Sequence, residues 1–337
     1  MPILLALSVF GGGGGSAAAG PTVTATGPLD TATGKKIAAG SYHSCTRLDN
    51  GQVKCWGLNV FGQLGLGDTR ARGDGATGDK LPTVDLGAGR TAVELAAGLY
   101  HTCARLDNGQ VKCWGFNLLG QLGLGDTGSR GDQANEMGDK LPAVDLGAGR
   151  TVVELVAGTH HNCARLDNGR VKCWGDNLLG SLGLGDTNNR GDQAGEMGDK
   201  LSAVDLGAGR TAVELAAGSY HSCARLDNGR VKCWGYNGHG QLGLGDGNNR
   251  GDQANEMGDN LPAVDLGTGR AVVALAAGSN HTCAHLDNGQ VKCWGVNNFG
   301  QLGLGDTNDR GDHADEMGNN LPVVDFGQDA GGTLPAF

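Results

Sequence analysis

The chain has 337 residues, with 64 glycines, 8 prolines and a net charge of −10 from 26 basic and 36 acidic residues. So much glycine without matching proline excludes a mixed Pro/Gly linker protein, and its recurrence at fixed offsets points to turns. The acidic balance argues against nonspecific nucleic-acid binding, which needs clustered positive charge. No apolar run approaches the roughly 18–20 residues of a membrane-spanning helix.

The first 20 residues hold an apolar stretch, residues 3–10 (ILLALSVF), and an Ala-x-Ala pattern at Ala17-Ala18-Ala19. Both suit a secretory signal, but a basic start is missing and Gly11–Gly15 interrupts the layout, so a plain leader stands as the alternative. Residues 21–34, rich in Thr, Ala and Gly, read as a tether. From 35 to 327 one unit is repeated five times, with His-x-Cys recurring at Cys45, Cys103, Cys163, Cys223 and Cys283. The steps are 58, 60, 60 and 60 residues, copy 1 being two residues short in its RARGDGATGDK segment. Residues 328–337 form a C-terminal tail.

Copy 2, Val93–Arg150, shows the elements of the unit. Val93–Ala97 is a short apolar run ended by Gly98. His101–Leu106 and Gln110–Trp114 flank Asp107-Asn108-Gly109, a strong hairpin signal. Pro142–Leu146 is a fourth short run. Four strands without helical periodicity predict a four-stranded, blade-like sheet. The strands lack an apolar/polar alternation, as expected if neighbours cover both faces of each blade. Stability must then come largely from stacking.

The stretch LAAG-x-x-H-x-C-A-x-L-D-N-G-x-V-K-C-W-G-x-N-x-x-G-Q-L-G-L-G-D resembles the repeat of the regulator of chromosome condensation, a family that builds β-propellers. The resemblance covers nearly nine-tenths of the chain. It implies an all-β propeller of five four-stranded blades, closed as a smaller ring or left as an open arc or a fragment of a longer propeller. The family usually has seven blades, and its strand positions are usually not cysteine. Its precedents, exchange-factor activity on a small nuclear GTPase and inhibition of a β-lactamase, do not carry over residue by residue.

All ten cysteines form Cys-x9-Cys pairs: Cys45/Cys55, Cys103/Cys113, Cys163/Cys173, Cys223/Cys233 and Cys283/Cys293. Centring the hairpin on Asn108 sets Cys103 directly opposite Cys113, within disulfide reach. Five such bridges imply an oxidising compartment: extracellular, cell-surface or periplasmic. Reduced structural thiols and zinc held by His101, Cys103 and Cys113 are the alternatives; zinc lacks a repeated fourth ligand. The repeated His43, His101, His161, His221 and His281 are then packing and hydrogen-bonding residues, since no serine or acid recurs beside them as a triad.

Gly123–Gly128 matches G-x-G-x-x-G literally, but no helix pattern follows and Asp126 lies inside it, so these are turn glycines. Asp186, Asn188, Asp192 and Glu196 partly match a calcium-binding loop, although Arg190 takes the fifth place and Glu196 comes one residue early. Calcium is the one cofactor this chain suggests. The alternative is a structural inter-blade loop with arginine paired to its acidic neighbours. Arg-Gly-Asp starts at Arg72, Arg130, Arg190, Arg250 and Arg310, a consequence of duplication.

The copies diverge mainly before the repeated histidine (Tyr42, Tyr100, His160, Tyr220, Asn280) and after Trp-Gly (Leu58, Phe116, Asp176, Tyr236, Val296). Val60–Phe61, Leu118–Leu119, Leu178–Leu179, Gly238–His239 and Asn298–Phe299 follow closely. Both places lie at the hairpin end away from Asp-Asn-Gly, hence on one rim. Seven of the ten Tyr and Phe residues occupy them, and exposed aromatics are favoured binding anchors. Tyr42, Phe61, Tyr100, Phe116, Tyr220, Tyr236, His239 and Phe299 are therefore the expected partner-binding residues. Drift in exposed loops, with Leu118 and Leu178 packing on neighbours, is the alternative. The expected function is a non-enzymatic binding scaffold for a protein partner, or a self-associating structural module. Neither nucleic acid, a membrane span nor a small-molecule substrate is expected.

Overall fold

Each Asp-Asn-Gly turn closes a hairpin, and the hairpin is the unit from which the molecule is assembled. In copy 2, Gly109 adopts φ +77° and its N–H donates to Leu106 O (2.9 Å), while Leu106 N–H donates to Gln110 O (2.8 Å). The turn sets the register, with Cys103 opposite Cys113 and their Cα atoms 4.1 Å apart. The computed structural model describes residues 35–75 and 78–327; the leader, tether and C-terminal tail lie outside them.

The other hairpins repeat this register, with Cys45 opposite Cys55, Cys163 opposite Cys173, Cys223 opposite Cys233 and Cys283 opposite Cys293. All five pairs are bonded: Cys45–Cys55, Cys103–Cys113, Cys163–Cys173, Cys223–Cys233 and Cys283–Cys293. The bonds remove the thiolates that a zinc site would need, and they leave no cysteine as a reduced thiol. Closing each 11-residue loop stabilises the fold by about 3 kcal/mol in the chain-entropy account. Non-reducing peptide mapping is therefore expected to recover five linked peptides, each from one copy, with Cys163 joined to Cys173. Bridges between copies would overturn the register.

Every copy contributes three antiparallel strands. They are β1 Ile37–Ala39, β2 His43–Arg47 and β3 Val53–Gly57 in copy 1, and β4 Ala92–Ala97, β5 His101–Leu106 and β6 Val111–Gly115 in copy 2. Copies 3 and 4 supply β7 Val152–Ala157, β8 His161–Leu166, β9 Val171–Gly175, β10 Ala212–Ala217, β11 His221–Leu226 and β12 Val231–Gly235. Copy 5 supplies β13 Val272–Ala277, β14 His281–Leu286 and β15 Val291–Gly295. The middle strand of each sheet is the second of its copy. All five residues of β6 are buried, which accounts for the missing alternation. The first strands, four ending in Ala-Ala-Gly and that of copy 3 in Val156-Ala157-Gly158, surround a central channel.

The expected fourth strand is not formed. In copy 2 the run Pro142–Leu146 makes one backbone bond to its own hairpin, Val144 N–H to Val111 O (2.8 Å). Further polar groups of the strap serve the next blade, as copy 1 shows. Asp85 O accepts Gly138 N–H (3.0 Å), Leu86 O accepts Lys112 Nζ (3.0 Å), and Ala88 N–H donates to Asp139 Oδ1 (2.9 Å). A segment whose peptide groups are shared between two blades cannot complete a ladder with either. It is a strap, and the blades are three-stranded.

The cores lie between blades. One cluster joins Cys45, Cys55, Val53, Leu64 and Leu86 of copy 1 to Leu95, Leu106, Trp114 and Leu141 of copy 2, and three further clusters repeat the arrangement down to copies 4 and 5. Polar contacts run in the same direction. His43 Nε2–H donates to Thr102 Oγ1 (2.8 Å), whose hydroxyl donates to Gln63 O (2.8 Å). Trp114 Nε1–H donates to the same carbonyl (3.1 Å). His101, His161 and His221 repeat the link to Asn162, Ser222 and Thr282. The glycine that ends the first strand is needed here: a Cβ on Gly98 would lie 2.2 Å from His101 Cε1. Glu94 is a second link, accepting Arg105 Nε within its own blade (2.9 Å) and Leu155 N–H of the next (3.1 Å).

Candidate interaction surface

The two variable places meet because the hairpin register brings them together. Tyr100 precedes β5, Phe116 follows β6, and Phe116 N–H donates to Tyr100 O (2.9 Å). Both therefore stand at the end opposite Asp107–Gly109. Phe61 sits in the loop after β3, where Asn59 acts as a staple: its Oδ1 accepts Leu64 N–H (2.9 Å) and its Nδ2 donates to Asp68 O (2.7 Å). Phe61 N–H is itself held by Gln63 Oε1 (2.9 Å). The backbone under the ring is fixed, so the ring is presented without a large ordering cost on binding.

Four of the expected residues form one cluster. Tyr42 stacks on Tyr100 with centroids 5.6 Å apart and planes at 14°. Phe61 meets Tyr100 at 5.2 Å and Phe116 at 4.8 Å. Phe116 continues to His160 of copy 3 at 6.1 Å. The result is a ladder of five rings across blades 1 to 3; Leu118 and Leu178, in the loops after β6 and β9, are exposed. Neither leucine belongs to an inter-blade core cluster. The expected set includes His239 but omits His160, although His160 occupies the same variable place as Tyr42, Tyr100 and Tyr220; the signal is its ring. Burial lowers its pKa, with Asp176 opposing, so the ladder is uncharged at neutral pH.

The remaining four expected residues stand elsewhere. Tyr236 and His239 form a separate pair, centroids 6.1 Å apart, and His239 Nδ1 lies 3.1 Å from Asp309 Oδ2. Phe299 projects with 92% of its surface exposed. Tyr220 is half-buried and, among the described residues, joins no other ring of the set.

The bridged cysteines take no part in this surface. Cys55, Cys233 and Cys293 lie buried on the third strands of their blades, as do Cys113 and Cys173. Their partners on the middle strands are buried too, except Cys283, which is half-buried because, among the described residues, no blade covers the trailing side of copy 5. The sulfur pairs are structural links inside the stack and present no nucleophile or ligand to a partner.

The acidic loop is occupied by its own contacts. Asp186 Oδ2 is paired with Arg190 (2.7 Å), and its Oδ1 accepts Asn188 N–H (2.9 Å). Glu196 Oε2 accepts the N–H groups of Gly191 (3.0 Å) and Gln193 (3.1 Å). Asp186 and Glu196 are thus engaged by a guanidinium and by backbone N–H groups, the pairing that the structural-loop alternative describes. The same pairing folds the arginine of Arg-Gly-Asp back on the loop. In copy 5, Asp312, His313 and Glu316 bring three ligand-type atoms within 4.8 Å of one another, but Glu316 caps Gly311 and His313 N–H as in the other copies. The channel is lined by small and aliphatic residues, with Lys35 its one charged side chain among the described residues.

Stacked three-stranded blades around a channel, with the variable residues on one rim, define a propeller-class repeat protein. The chain belongs to the regulator of chromosome condensation (RCC1) repeat family. One model of that repeat matches residues 35–63, 92–121, 152–181, 212–241 and 272–301, and a second matches 50–105 and 228–285. The chain is similar to the ultraviolet-B receptor UVR8 of Arabidopsis thaliana, at 30% identity over 82% of this chain and 56% of that protein. It is also similar to the E3 ubiquitin-protein ligase HERC2 of Homo sapiens, at 29% identity over 81% of this chain and 5% of that protein. The chain therefore spans less than two thirds of either relative. Among solved structures, yeast RCC1 (Prp20) bound to Kap60 matches with a TM-score of 0.59 at 20% identity, over 86% of this chain and 60% of that one. Human WBSCR16 matches with a TM-score of 0.53 at 18% identity, over 89% and 83%. These two likenesses concern the fold alone.

Proposed function

We propose that this chain is a non-enzymatic protein-binding scaffold acting outside the cytoplasm, at a cell surface, in a periplasm or in the extracellular space. The observation that carries the reading is the five-ring ladder Tyr42–Tyr100–Phe61–Phe116–His160, which crosses three blades on one rim. The internal copies reinforce it: the histidine and tryptophan that reach between blades recur unchanged in all five copies, while the residues on this rim do not. Aromatic rings supply large apolar area with few rotatable bonds, the composition of interface hot spots. Yeast RCC1, of the same fold, is itself bound by a protein in its solved complex. Five intra-hairpin disulfides support an oxidising location.

The test is affinity capture from a secreted or surface fraction with three baits: the native chain, a rim variant and a variant altered at the Asp-Asn-Gly side. A partner kept by the first and third but lost by the second supports the reading. A partner lost only by the turn-side variant places binding on the opposite face and defeats it.

A further inference from the structure

The interface between consecutive blades is made four times in this chain, and among the described residues its two halves are also left unmated at the two ends. Among the described residues, no hydrogen bond or apolar cluster joins blade 5 to blade 1. On the leading side of blade 1, Ile37 is 66% exposed, whereas Leu95, its counterpart in copy 2, is fully buried. Trp56 is half-buried where Trp114, Trp174, Trp234 and Trp294 are inaccessible. On the trailing side of blade 5, Phe326 is 69% exposed, whereas Leu86 in the same place of copy 1 is 4% exposed.

The polar half of the contact is left open in the same way. His281 stands where His43, His101, His161 and His221 each reach the next blade. Ser44 stands where Thr102, Asn162, Ser222 and Thr282 receive them. The seat for a tryptophan is also there. A Cβ on Gly243 would touch Trp294 Nε1 at 2.8 Å, and Gly65, Gly123 and Gly183 lie similarly close to the indoles of their next blades, but Gly303 meets none.

We infer that a second copy of this chain docks head to tail, the leading face of its blade 1 on the trailing face of blade 5. Trp56 of one copy fills the seat at Gly303 of the other and donates to Gln301 O, while His281 donates to Ser44 Oγ. The occupant is specified by the repeat itself, because Ser44 matches Ser222 and Trp56 matches Trp234 in an interface the chain already builds. The junction is weaker than the internal ones. Ala274 replaces the glutamate that elsewhere caps the next blade (Glu94, Glu154, Glu214), and copy 1 lacks the methionine that packs backwards in copy 2, Met137. Such a contact is heterologous, so copies add at either end rather than pairing about a twofold axis.

Sedimentation of the full 337-residue chain tests this with two variants at exposed positions, Ile37→Asp and Phe326→Asp, each checked for a native circular-dichroism spectrum. The native chain is expected to gain mass steadily as concentration rises from micromolar to roughly millimolar, passing twice the monomer value. Each variant alone keeps only one of the two complementary faces and should stay a monomer. An equimolar mixture of the two should form a dimer and stop there, since each supplies the face the other has lost. A native chain that is monomeric throughout overturns the inference, whether its ends are unoccupied or meant for a different chain. So does a variant that still associates alone, or a mixture that fails to pair, as an isologous patch would produce.

Discussion

Replacing Tyr100 and Phe116 together by alanine is expected to reduce partner affinity by about thirtyfold or more for each ring, the change that follows from ~2 kcal/mol at an aromatic hot spot. The two rings touch the same neighbour, Phe61, at 5.2 and 4.8 Å, so the double change opens the middle of the ladder. Because they are in contact, their effects need not add. Folding should be nearly unaffected, since neither ring belongs to an inter-blade core and a lost aromatic contact costs about 1 kcal/mol. Gln110→Ala and Arg170→Ala, on the turn side, should leave binding within about twofold, as surface positions do. Titration calorimetry with the captured partner and thermal melts of the four proteins would check both statements. Turn-side losses with intact rim variants would mean that the variable positions are only drifting loops.

The second large effect is acid lability. Burial lowers the pKa of His43 and His101 to about 4 and that of His161 and His221 to about 3. Each ring is held neutral by its surroundings: Nε2–H donates to the next blade, and Nδ1 of His101 has no hydrogen-bond partner. Released by unfolding, the same rings would titrate near 6.5. Between 6.5 and 4 the unfolded chain therefore binds protons that the folded one refuses, and stability falls as pH falls. The full contribution is present above 6.5 and is lost on the way down to the folded-state values. Four such groups impose a slope on the order of 5 kcal/mol per pH unit, against a total stability of ~5–15 kcal/mol for an ordinary domain. Unfolding is thus expected near pH 5, above the range where carboxylates alone titrate. Urea midpoints at pH 7 and 5.5 should differ strongly, and His161→Gln should flatten the dependence by about a quarter while costing stability at neutral pH. Equal midpoints for the native chain at the two pH values would refute this account.

Both effects depend on the division of labour within the repeat. Residues that point along the stack, such as His101, Trp114 and Glu94, cannot vary without loosening two blades at once. The rings of Tyr42, Phe61, Tyr100 and Phe116 meet one another and belong to no inter-blade core cluster, which leaves them open to change. The disulfides reinforce this division by tying β5 to β6 and β8 to β9 independently of stacking, so each hairpin keeps its register when the blades separate.

The amino-acid sequence by itself determined the features that depend on local geometry and on period. Asp107-Asn108-Gly109 sets the turn, the turn sets Cys103 against Cys113, and alternation of position along the hairpin puts Tyr100 and Phe116 at one end; all of this is read within about 20 residues of chain. The same turn in the other copies sets Cys55, Cys233 and Cys293 against their partners without any long-range information. The sixty-residue period likewise announced stacked blades. Tertiary structure alone decided the rest. Pro142–Leu146 reads as a strand, yet such runs become straps because their peptide groups are divided between two blades. His43 finds Thr102, and Phe116 finds His160, only once the rotation from one blade to the next is known. That rotation comes from packing Trp114 and its repeats against the preceding blade, a long-range contact that no local propensity encodes. The same packing, repeated four times and not closed among the described residues, leaves Ile37 and Phe326 exposed at the ends of the stack.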